Sequence, residues 1–188
     1  MLELTDNLIL YHGSYCEVTT PDLDKCSKFK DFGQGFYLTT SLKQAESFSK
    51  ISLTKAISNN IVSKDQAFGI VSSYKLKSTA HLNIKIFQTA NQEWLHCIVS
   101  NRSKNSSFKT IATSMNNFDI IGGKIANDAT NSTIAAYMNG LYGEIGSQSA
   151  DNICISLLLP ERLQDQFCFR TDSALKRLNF IESRKIWL

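Results

Sequence analysis

The most informative features of the chain are a histidine followed by glycine and a tyrosine preceded by a Gly-x-Gly pattern. Leu10–Ser14 reads Leu-Tyr-His-Gly-Ser, and Phe32–Thr40 reads Phe-Gly-Gln-Gly-Phe-Tyr-Leu-Thr-Thr. The ring nitrogens of His12 can bond ribose hydroxyls, and the ring of Tyr37 offers a stacking face. Glycines, which lack a Cβ, would let the backbone approach a ligand closely. We therefore expect a pocket for a flat aromatic ring on a ribose, with NAD as the leading candidate ligand.

Size and composition predict an ordinary globular domain. The chain has 188 residues, of which 43% are hydrophobic and 20% are charged, and this length fits one domain spanning residues 1–188. The formal net charge is +3 and the pI is about 8.6. This charge is too weak to indicate a nucleic-acid partner by itself, and it does not exclude one.

Cysteine and histidine usage indicates neither a disulfide framework nor a metal site. The five cysteines are scattered without a Cys-x-x-Cys pair, and none of the three histidines stands at metal-ligand spacing to another ligand. We read these cysteines as reduced thiols of a cytoplasmic protein that needs no metal. The N-terminus lacks the pattern of a secretory signal, and the apolar run near Ile153–Leu159 is too short to span a bilayer.

Hydrophobic periodicity predicts an α+β domain with several short strands. Helices are expected over Leu42–Leu53, capped by Thr40 or Ser41, over Thr89–Asn101, Ile134–Leu141 and Ile153–Leu159, and for a turn or two at Ser173–Leu178. The expected strands are Leu8–Tyr11, Gly35–Thr39, Phe68–Leu76, Leu82–Phe87, Asp119–Gly123, Phe167–Phe169 and Phe180–Trp187. These strands and helices must position His12 and Tyr37.

The segment Phe32–Leu38 resembles the Gly-x-Gly-x-Tyr-Phe segment of poly(ADP-ribose) polymerases and diphtheria-toxin-like ADP-ribosyltransferases. A closer resemblance is to a bacterial family of uncharacterised domains assigned to that fold. It extends in order through Trp94-Leu95 with Asn101-Arg102, Asp119–Gly122 with Ala126–Asp128, and Asp165–Thr171 with Ala174-Leu175. The resemblance therefore covers most of the chain. It implies a split β-sheet core with flanking helices.

In that superfamily a His-Tyr-Glu trio defines the site, and the resemblance assigns roles residue by residue. It implies that His12 bonds the adenosine-side ribose and that the backbone of Gly13 holds the nicotinamide carboxamide. Ser14 belongs to the same NAD-binding set. The resemblance implies that Tyr37 stacks on nicotinamide. Phe48 stands eleven residues on, where those enzymes carry a second stacking tyrosine. By spacing alone, Tyr37 and Phe48 would be read as ordinary core aromatics.

The third position departs from the trio, because Gln166 stands where the superfamily has glutamate. An amide oxygen can orient a ribose hydroxyl, but it supplies neither a full negative charge nor a general base. Polymer elongation is therefore not expected, whereas transfer of a single unit remains compatible with positioning and with nicotinamide as leaving group. Glu144, Glu161 and Asp165 are alternative sources of the charge, each more typical of a solvated loop.

Other polar residues near these motifs have ordinary structural interpretations. Arg102 and Lys104, with Lys109 nearby, are expected to form a solvated basic loop that a phosphate could also contact. Asn127 and Asp128 follow a predicted strand and could cap a helix as readily as touch a substrate. Arg170 and Lys176-Arg177 lie near the proposed pocket in sequence only.

The resemblance implies a mono-ADP-ribosyltransferase that uses NAD as co-substrate. Small members of such families are typical of intracellular bacterial or phage-defence toxins, so an antitoxin partner is expected. The acceptor would be a protein or a nucleic acid. Two alternatives remain open from the sequence: an inactive module that binds NAD or ADP-ribose, favoured by Gln166, and an NAD glycohydrolase in which water replaces the acceptor.

Overall fold

The computed structural model describes residues 2–102, 108–124, 128–159 and 163–188, which form a mixed α+β fold. The strands are β1 Ile9–Ser14, β2 Phe36–Leu38, β3 Phe68–Leu76, β4 Ile84–Ile86, β5 Ile120–Lys124, β6 Asp165–Phe169 and β7 Leu178–Trp187. The helices are α1 Leu42–Ser58, α2 Gln92–Arg102, α3 Lys109–Met115, α4 Asp128–Met138, α5 Gln148–Leu157 and α6 Asp172–Leu175. A 3₁₀ turn at Leu23–Lys25 lies in the long β1–β2 connection.

The strands form two sheets that meet at one narrow junction. One sheet has the order β1-β3-β7, and the other has the order β2-β6-β5-β4. All the pairs are antiparallel except β4 with β5. An isolated bridge joins the sheets where the Tyr11 and Thr39 backbones exchange hydrogen bonds of 2.8 and 3.0 Å. Beyond this bridge β1 and β2 no longer pair, and a cleft lies between them.

Apolar residues on alternate positions of the strands build two cores. One lies between the sheets and includes Leu10, Tyr74, Phe167 and Phe169, all fully or almost fully buried. The other lies on the opposite face of the second sheet, where Trp94, Leu95, Ile98, Tyr137 and Cys154 of the helices pack. Helix α1 covers the outer side of the first sheet, against β1 and β3. The second sheet is therefore covered on both faces.

The helical side is also held by a buried polar network. His96 of α2 approaches Asp151 of α5 with Nε2 and Oδ2 2.8 Å apart, and the Tyr137 hydroxyl donates to the other carboxylate oxygen. The amide of Gly146 in turn donates to the Tyr137 oxygen over 2.9 Å. Because Asp151 is 1% exposed, its oxygens need these partners. The network joins α2, α4 and α5, and it places His96 away from the cleft.

Most expected elements are confirmed, with shifted ends. Ser41 caps α1 through a bond from the Gln44 amide, and β3 has the expected bounds. The first strand was predicted to end at Tyr11, but β1 runs to Ser14 because its pairing with β3 continues to Ile70. The prediction that Arg102 opens a loop is wrong, since it ends α2. Helix α3 was not predicted, and residues 103–107 of the expected loop lie outside the described residues.

Candidate functional site

His12 spans the gap between the two sheets. Its Nδ1 lies 2.8 Å from the backbone oxygen of Tyr37, and its ring lies against Phe36 with centroids 4.3 Å apart. A carbonyl oxygen only accepts hydrogen bonds, so Nδ1 must carry the proton and donate it. In a neutral imidazole the other nitrogen then keeps its lone pair. Nε2 of His12 is therefore able to accept a hydrogen bond.

The environment of His12 favours this neutral form. Burial lowers the pKa of His12 below its ordinary value of 6.5, while the hydrogen bond to the Tyr37 carbonyl acts in the opposite direction. Desolvation weighs more because a charged imidazolium loses hydration at this position. At neutral pH the residue is an oriented hydrogen-bonding group without a charge.

The hydroxyl of Tyr37 is held by the backbone of the preceding turn. It donates to the Gly33 oxygen over 2.7 Å and accepts from the Phe32 amide over 3.0 Å. Burial, followed by the proximity of Cys168, raises the pKa of Tyr37 well above its ordinary value of 10. The phenol is thus unsuited to act as a proton donor or acceptor in a reaction. What remains for a ligand is the ring itself, in a fixed orientation.

Gly13 is required by helix α1 rather than by ligand access. A Cβ on Gly13 would lie 2.0 Å from the carbonyl oxygen of Ala45 and 2.7 Å from the amide nitrogen of Ser49. The expectation that this glycine makes room for a ligand is therefore corrected, because its Cα hydrogen faces the α1 backbone. Strand alternation sets a different role for its amide and carbonyl. Tyr11 bonds towards β2, so Gly13, two residues on, directs its peptide groups to the same, cleft-side edge of β1.

The glycines before Tyr37 also serve the fold. A Cβ on Gly35 would lie 2.4 Å from the Sγ of Cys168 on β6, and Gly33 has a φ of +81°. Gly35 therefore lets β2 approach β6, and Gly33 permits the left-handed turn that receives the Tyr37 hydroxyl. As with Gly13, the reason given for these glycines from the sequence is corrected.

The site residues selected from the sequence lie around one cleft of about 880 Å³. Its lining includes the whole selected set: His12, Gly13, Ser14, Tyr37, Phe48 and Gln166. Phe48 reaches the cleft from α1 and is 37% exposed, which leaves ring surface for contact. Pockets for small ligands have volumes of roughly 300–1,000 Å³. The cleft is therefore large enough to hold at least the nicotinamide riboside part of a dinucleotide.

Gln166 is buried, whereas a glutamine without a specific role is usually solvated at the surface. It is 7% exposed on β6, and its Nε2 lies 3.4 Å from Oδ2 of Asp31. Because Tyr37 pairs with Cys168, two residues along β6, Gln166 and Tyr37 project from the same face of the second sheet. Asp31 comes from the turn that ends at Gly33, and it places a carboxylate directly beside Gln166.

Asp31 and Arg102 are site residues that sequence reasoning missed. Asp31 is 5% exposed, and its Oδ1 accepts from Nε and Nη2 of Arg102 over 2.9 and 2.5 Å. Nη1 of Arg102 also donates to Asn131 over 2.7 Å. Both charged residues line the cleft. The interpretation of Arg102 as part of a solvated basic loop is therefore wrong. Two sequence signals pointed to them: Asp31 stands directly before the Phe-Gly-Gln-Gly segment, and Arg102 belongs to the Asn101-Arg102 pair of the resemblance.

Gln44 is a third missed residue. It is 8% exposed in the first turn of α1 and lines the cleft. Its Oε1 accepts from the Thr39 hydroxyl over 2.8 Å, whereas its buried Nε2 has no hydrogen-bond partner within the described part of the chain. A buried donor without a partner is costly unless a ligand or water satisfies it. The amide of Gln44 is therefore a candidate donor to a bound molecule.

The acids proposed as alternatives to Gln166 do not line the cleft where they are described. Glu144 is exposed in the loop before α5. Asp165 pairs with Lys124 at 3.3 Å on the far side of β6. Glu161 lies outside the described residues, as do Asn127 and Lys104, and the side chains of Asp128 and Lys109 are not described. Arg170 turns towards α3, where it donates to the Met115 carbonyl and to Asn116.

The cysteines are all free thiols, and the most deeply buried ones are poor nucleophiles. Burial raises the pKa of Cys97, Cys154 and Cys168 to about 12, so each thiol stays protonated at neutral pH. Cys16 and Cys26 are half-buried and line the cleft.

Among the described residues no cluster of three or more His, Cys, Asp or Glu is arranged to hold a metal. Nor does any helix in the described ranges have the length and apolar character needed to cross a membrane.

Comparison with known proteins gives a family and no function. Comparisons with curated proteins and with solved structures each find no match. A family model described as "protein of unknown function (DUF3990)" matches residues 8–180. This range includes every candidate site residue, from His12 to Gln166, and almost all of the described fold. The chain therefore belongs to the DUF3990 family.

Proposed function

We propose that this protein binds NAD in the cleft between its two sheets and transfers a single ADP-ribose unit to a macromolecular acceptor. The fold is proposed to be of the ADP-ribosyltransferase kind, with a split sheet core. One observation carries the proposal: residues chosen from separate segments of the sequence for nicotinamide and ribose binding line the same cleft. Within it, His12 bonds directly to the backbone of Tyr37.

The nicotinamide end would lie along the edge of β1. A carboxamide presents one acceptor oxygen and a donor NH₂, and the amide and carbonyl of Gly13 offer the complementary pair on the cleft side of the strand. The rings of Tyr37 and Phe48 line the same cleft and provide flat surfaces for the pyridinium ring. A cation over aromatic faces is additionally stabilised by the ring quadrupole. The nicotinamide group therefore fits the chemistry of this part of the cleft.

The ribose and the reaction would involve His12 and Gln166. Nε2 of neutral His12 accepts a bond from a ribose hydroxyl, and the Gln166 amide orients a second hydroxyl. The bond between ribose C1′ and the nicotinamide nitrogen breaks with its electron pair going to nitrogen, so neutral nicotinamide leaves. The acceptor's lone pair then bonds to C1′, and the acceptor's proton passes to water. The described residues thus bind and orient NAD, and no covalent enzyme intermediate is needed.

The biological setting follows from the resemblance and is proposed with it. A small transferase of this kind is suited to act as a bacterial or phage-defence toxin within the cell, restrained by an antitoxin protein. The acceptor is a protein or a nucleic acid. The net charge of +3 tilts the choice only slightly towards nucleic acid.

The test is to incubate the purified protein with labelled NAD and to measure nicotinamide release and label transfer, supplying protein, RNA and DNA separately. Label on one class of macromolecule, lost in the variant His12→Ala, is the expected result. Nicotinamide release without a labelled acceptor would make the protein an NAD glycohydrolase. NAD binding by calorimetry without release would indicate an inactive binding module, as Gln166 allows. Absence of NAD binding would contradict the proposal.

A further inference from the structure

We propose that Asp31, held by Arg102 and Gln166, is the carboxylate of this cleft that stabilises the charge that develops on the ribose. This inference rests on the proposed function. It assigns the role of the missing glutamate to a carboxylate from the β1–β2 connection instead of to a residue on β6. Gln166 then acts as the residue that positions this carboxylate.

The carboxylate of Asp31 is built into the cleft wall rather than solvated. Arg102 takes one of its oxygens with two guanidinium nitrogens, and the amide of Gln166 approaches the other oxygen at 3.4 Å. Arg102 is itself fixed to Asn131. Asp31, Arg102 and Gln166 all line the cleft. This buried carboxylate lines the cleft and directs one oxygen to a neutral amide. It is therefore placed to stabilise a positive charge bound beside it.

The neighbourhood explains why an amide stands at position 166. The Nε2 group of Gln166 donates towards Asp31 Oδ2, whereas a glutamate there would set two carboxylates against each other. Like charges a few ångströms apart cannot both ionise without strong repulsion. With Asp31 in place, glutamine is the residue that keeps its carboxylate oriented. A glutamine at this position is therefore compatible with a working site.

The reaction step gives Asp31 a defined task. As the bond between C1′ and the nicotinamide nitrogen breaks, the positive charge passes from the pyridinium to the ribose, and nicotinamide leaves as a neutral base. A fixed anion near the ribose stabilises this transition state more than it stabilises bound NAD. The acceptor's lone pair completes the exchange at C1′ and its proton leaves to water. Arg102 reduces the field of Asp31 but also prevents it from turning away.

A charge-swap experiment tests the assignment. The variants are Asp31→Asn, Gln166→Glu, and the double variant that carries both changes and so moves the carboxylate to position 166. Asp165→Asn is the matched control, because Asp165 neighbours Gln166 on β6 but pairs with Lys124 outside the cleft. Nicotinamide release, NAD affinity by calorimetry and thermal unfolding are measured for each.

We expect Asp31→Asn to lower nicotinamide release by about 10²–10³-fold, the usual effect of losing one electrostatic group at a transition state. NAD should still bind. Gln166→Glu should release nicotinamide no faster than the wild type, since two adjacent carboxylates compete. The double variant should recover at least about tenfold over Asp31→Asn. The control should keep wild-type turnover.

Several results would overturn the inference. Turnover of Asp31→Asn within about threefold of the wild type would do so, as would a tenfold or greater gain in Gln166→Glu. If Asp31→Asn fails to fold because Arg102 loses its carboxylate partner, Gln166→Glu and the double variant still decide. Faster nicotinamide release by Gln166→Glu counts against the role of Asp31. So does a double variant that folds and binds NAD but releases no nicotinamide. If the wild type itself does not bind NAD, the proposed function fails and the inference falls with it.

Discussion

At the residue scale, the chemistry of the cleft depends on single hydrogen bonds that fix otherwise ordinary side chains. The carbonyl of Tyr37 selects the Nδ1–H form of His12, and the backbone of Phe32 and Gly33 holds the Tyr37 phenol. Residue types suggested His12 and Tyr37 from the sequence. Their bonding partners could not be deduced, because backbone groups at those positions have no sequence signature.

Replacing the Tyr37 ring measures its contact with NAD. Tyr37→Ala should weaken NAD binding by roughly 1–3 kcal/mol if the ring stacks on nicotinamide. Tyr37→Phe keeps the ring but loses the hydroxyl bonds to the turn, so its NAD affinity should stay closer to that of the wild type. Its free energy of unfolding should fall by about 1–3 kcal/mol, because the Phe32 amide loses its partner.

Calorimetry with NAD separates these outcomes. Tyr142→Ala is the control, since Tyr142 packs against the helical core and does not line the cleft. An NAD affinity of Tyr37→Ala equal to that of the control would remove Tyr37 from the ligand contact.

At the scale of elements, the contact between β1 and α1 decides where the cleft forms. The helix approaches β1 so closely at Gly13 that its backbone occupies the place of a side chain. Periodicity predicted both elements, but it could not predict this approach. Helix α3 escaped prediction because it is short and has no side-chain hydrogen bond at its N-cap, Phe108. Such a helix depends on its tertiary surroundings more than on local signals.

A single methyl group tests the contact between β1 and α1. Gly13→Ala would bring a Cβ to 2.0 Å from the Ala45 oxygen, so α1 must move. We expect the free energy of unfolding to fall by about 1–3 kcal/mol or more, as in overpacked cores. NAD binding should weaken as well, because the cleft edge of β1 shifts.

Urea unfolding of Gly13→Ala and of Ser14→Ala makes the comparison. The second variant changes the next residue of β1 without adding an atom, so it should remain within about 1 kcal/mol of the wild type. A Gly13→Ala protein of equal stability to this control would show that α1 does not lie against β1 as described.

At the scale of the whole molecule, two sheets share one backbone bridge and the side-chain bond from His12 to β2. The same imidazole therefore serves the cleft and the junction. Because burial lowers the pKa of His12 below 6.5 in the folded protein, the unfolded chain binds the proton more readily. Acid thus favours unfolding through this residue.

Well above pH 6.5 His12 is neutral in both states and contributes no pH dependence, whereas stability decreases as the pH falls through 6.5 and below it. Each unit of depression corresponds to about 1.4 kcal/mol at sufficiently low pH. His12→Gln cannot titrate, so its free energy of unfolding should fall less on acidification than that of the wild type.

Urea unfolding at about pH 7.5 and 5.5 checks this difference, with the exposed His81→Gln variant as the control. The control should retain the wild-type loss. An equal loss in His12→Gln would mean that His12 is not the buried neutral group at the sheet junction.

The local sequence predicted most of the helices and strands, because hydrophobic periodicity and caps such as Ser41 are local properties. It also predicted which aromatic and histidine side chains could bind a nucleotide. The contacts of Asp31 with Arg102 and Gln166, across sequence separations of 71 and 135 residues, emerge only in the folded chain. So does the packing role of the glycines. Both depend on how strands and helices approach each other, and a single sequence does not encode that approach in any local pattern.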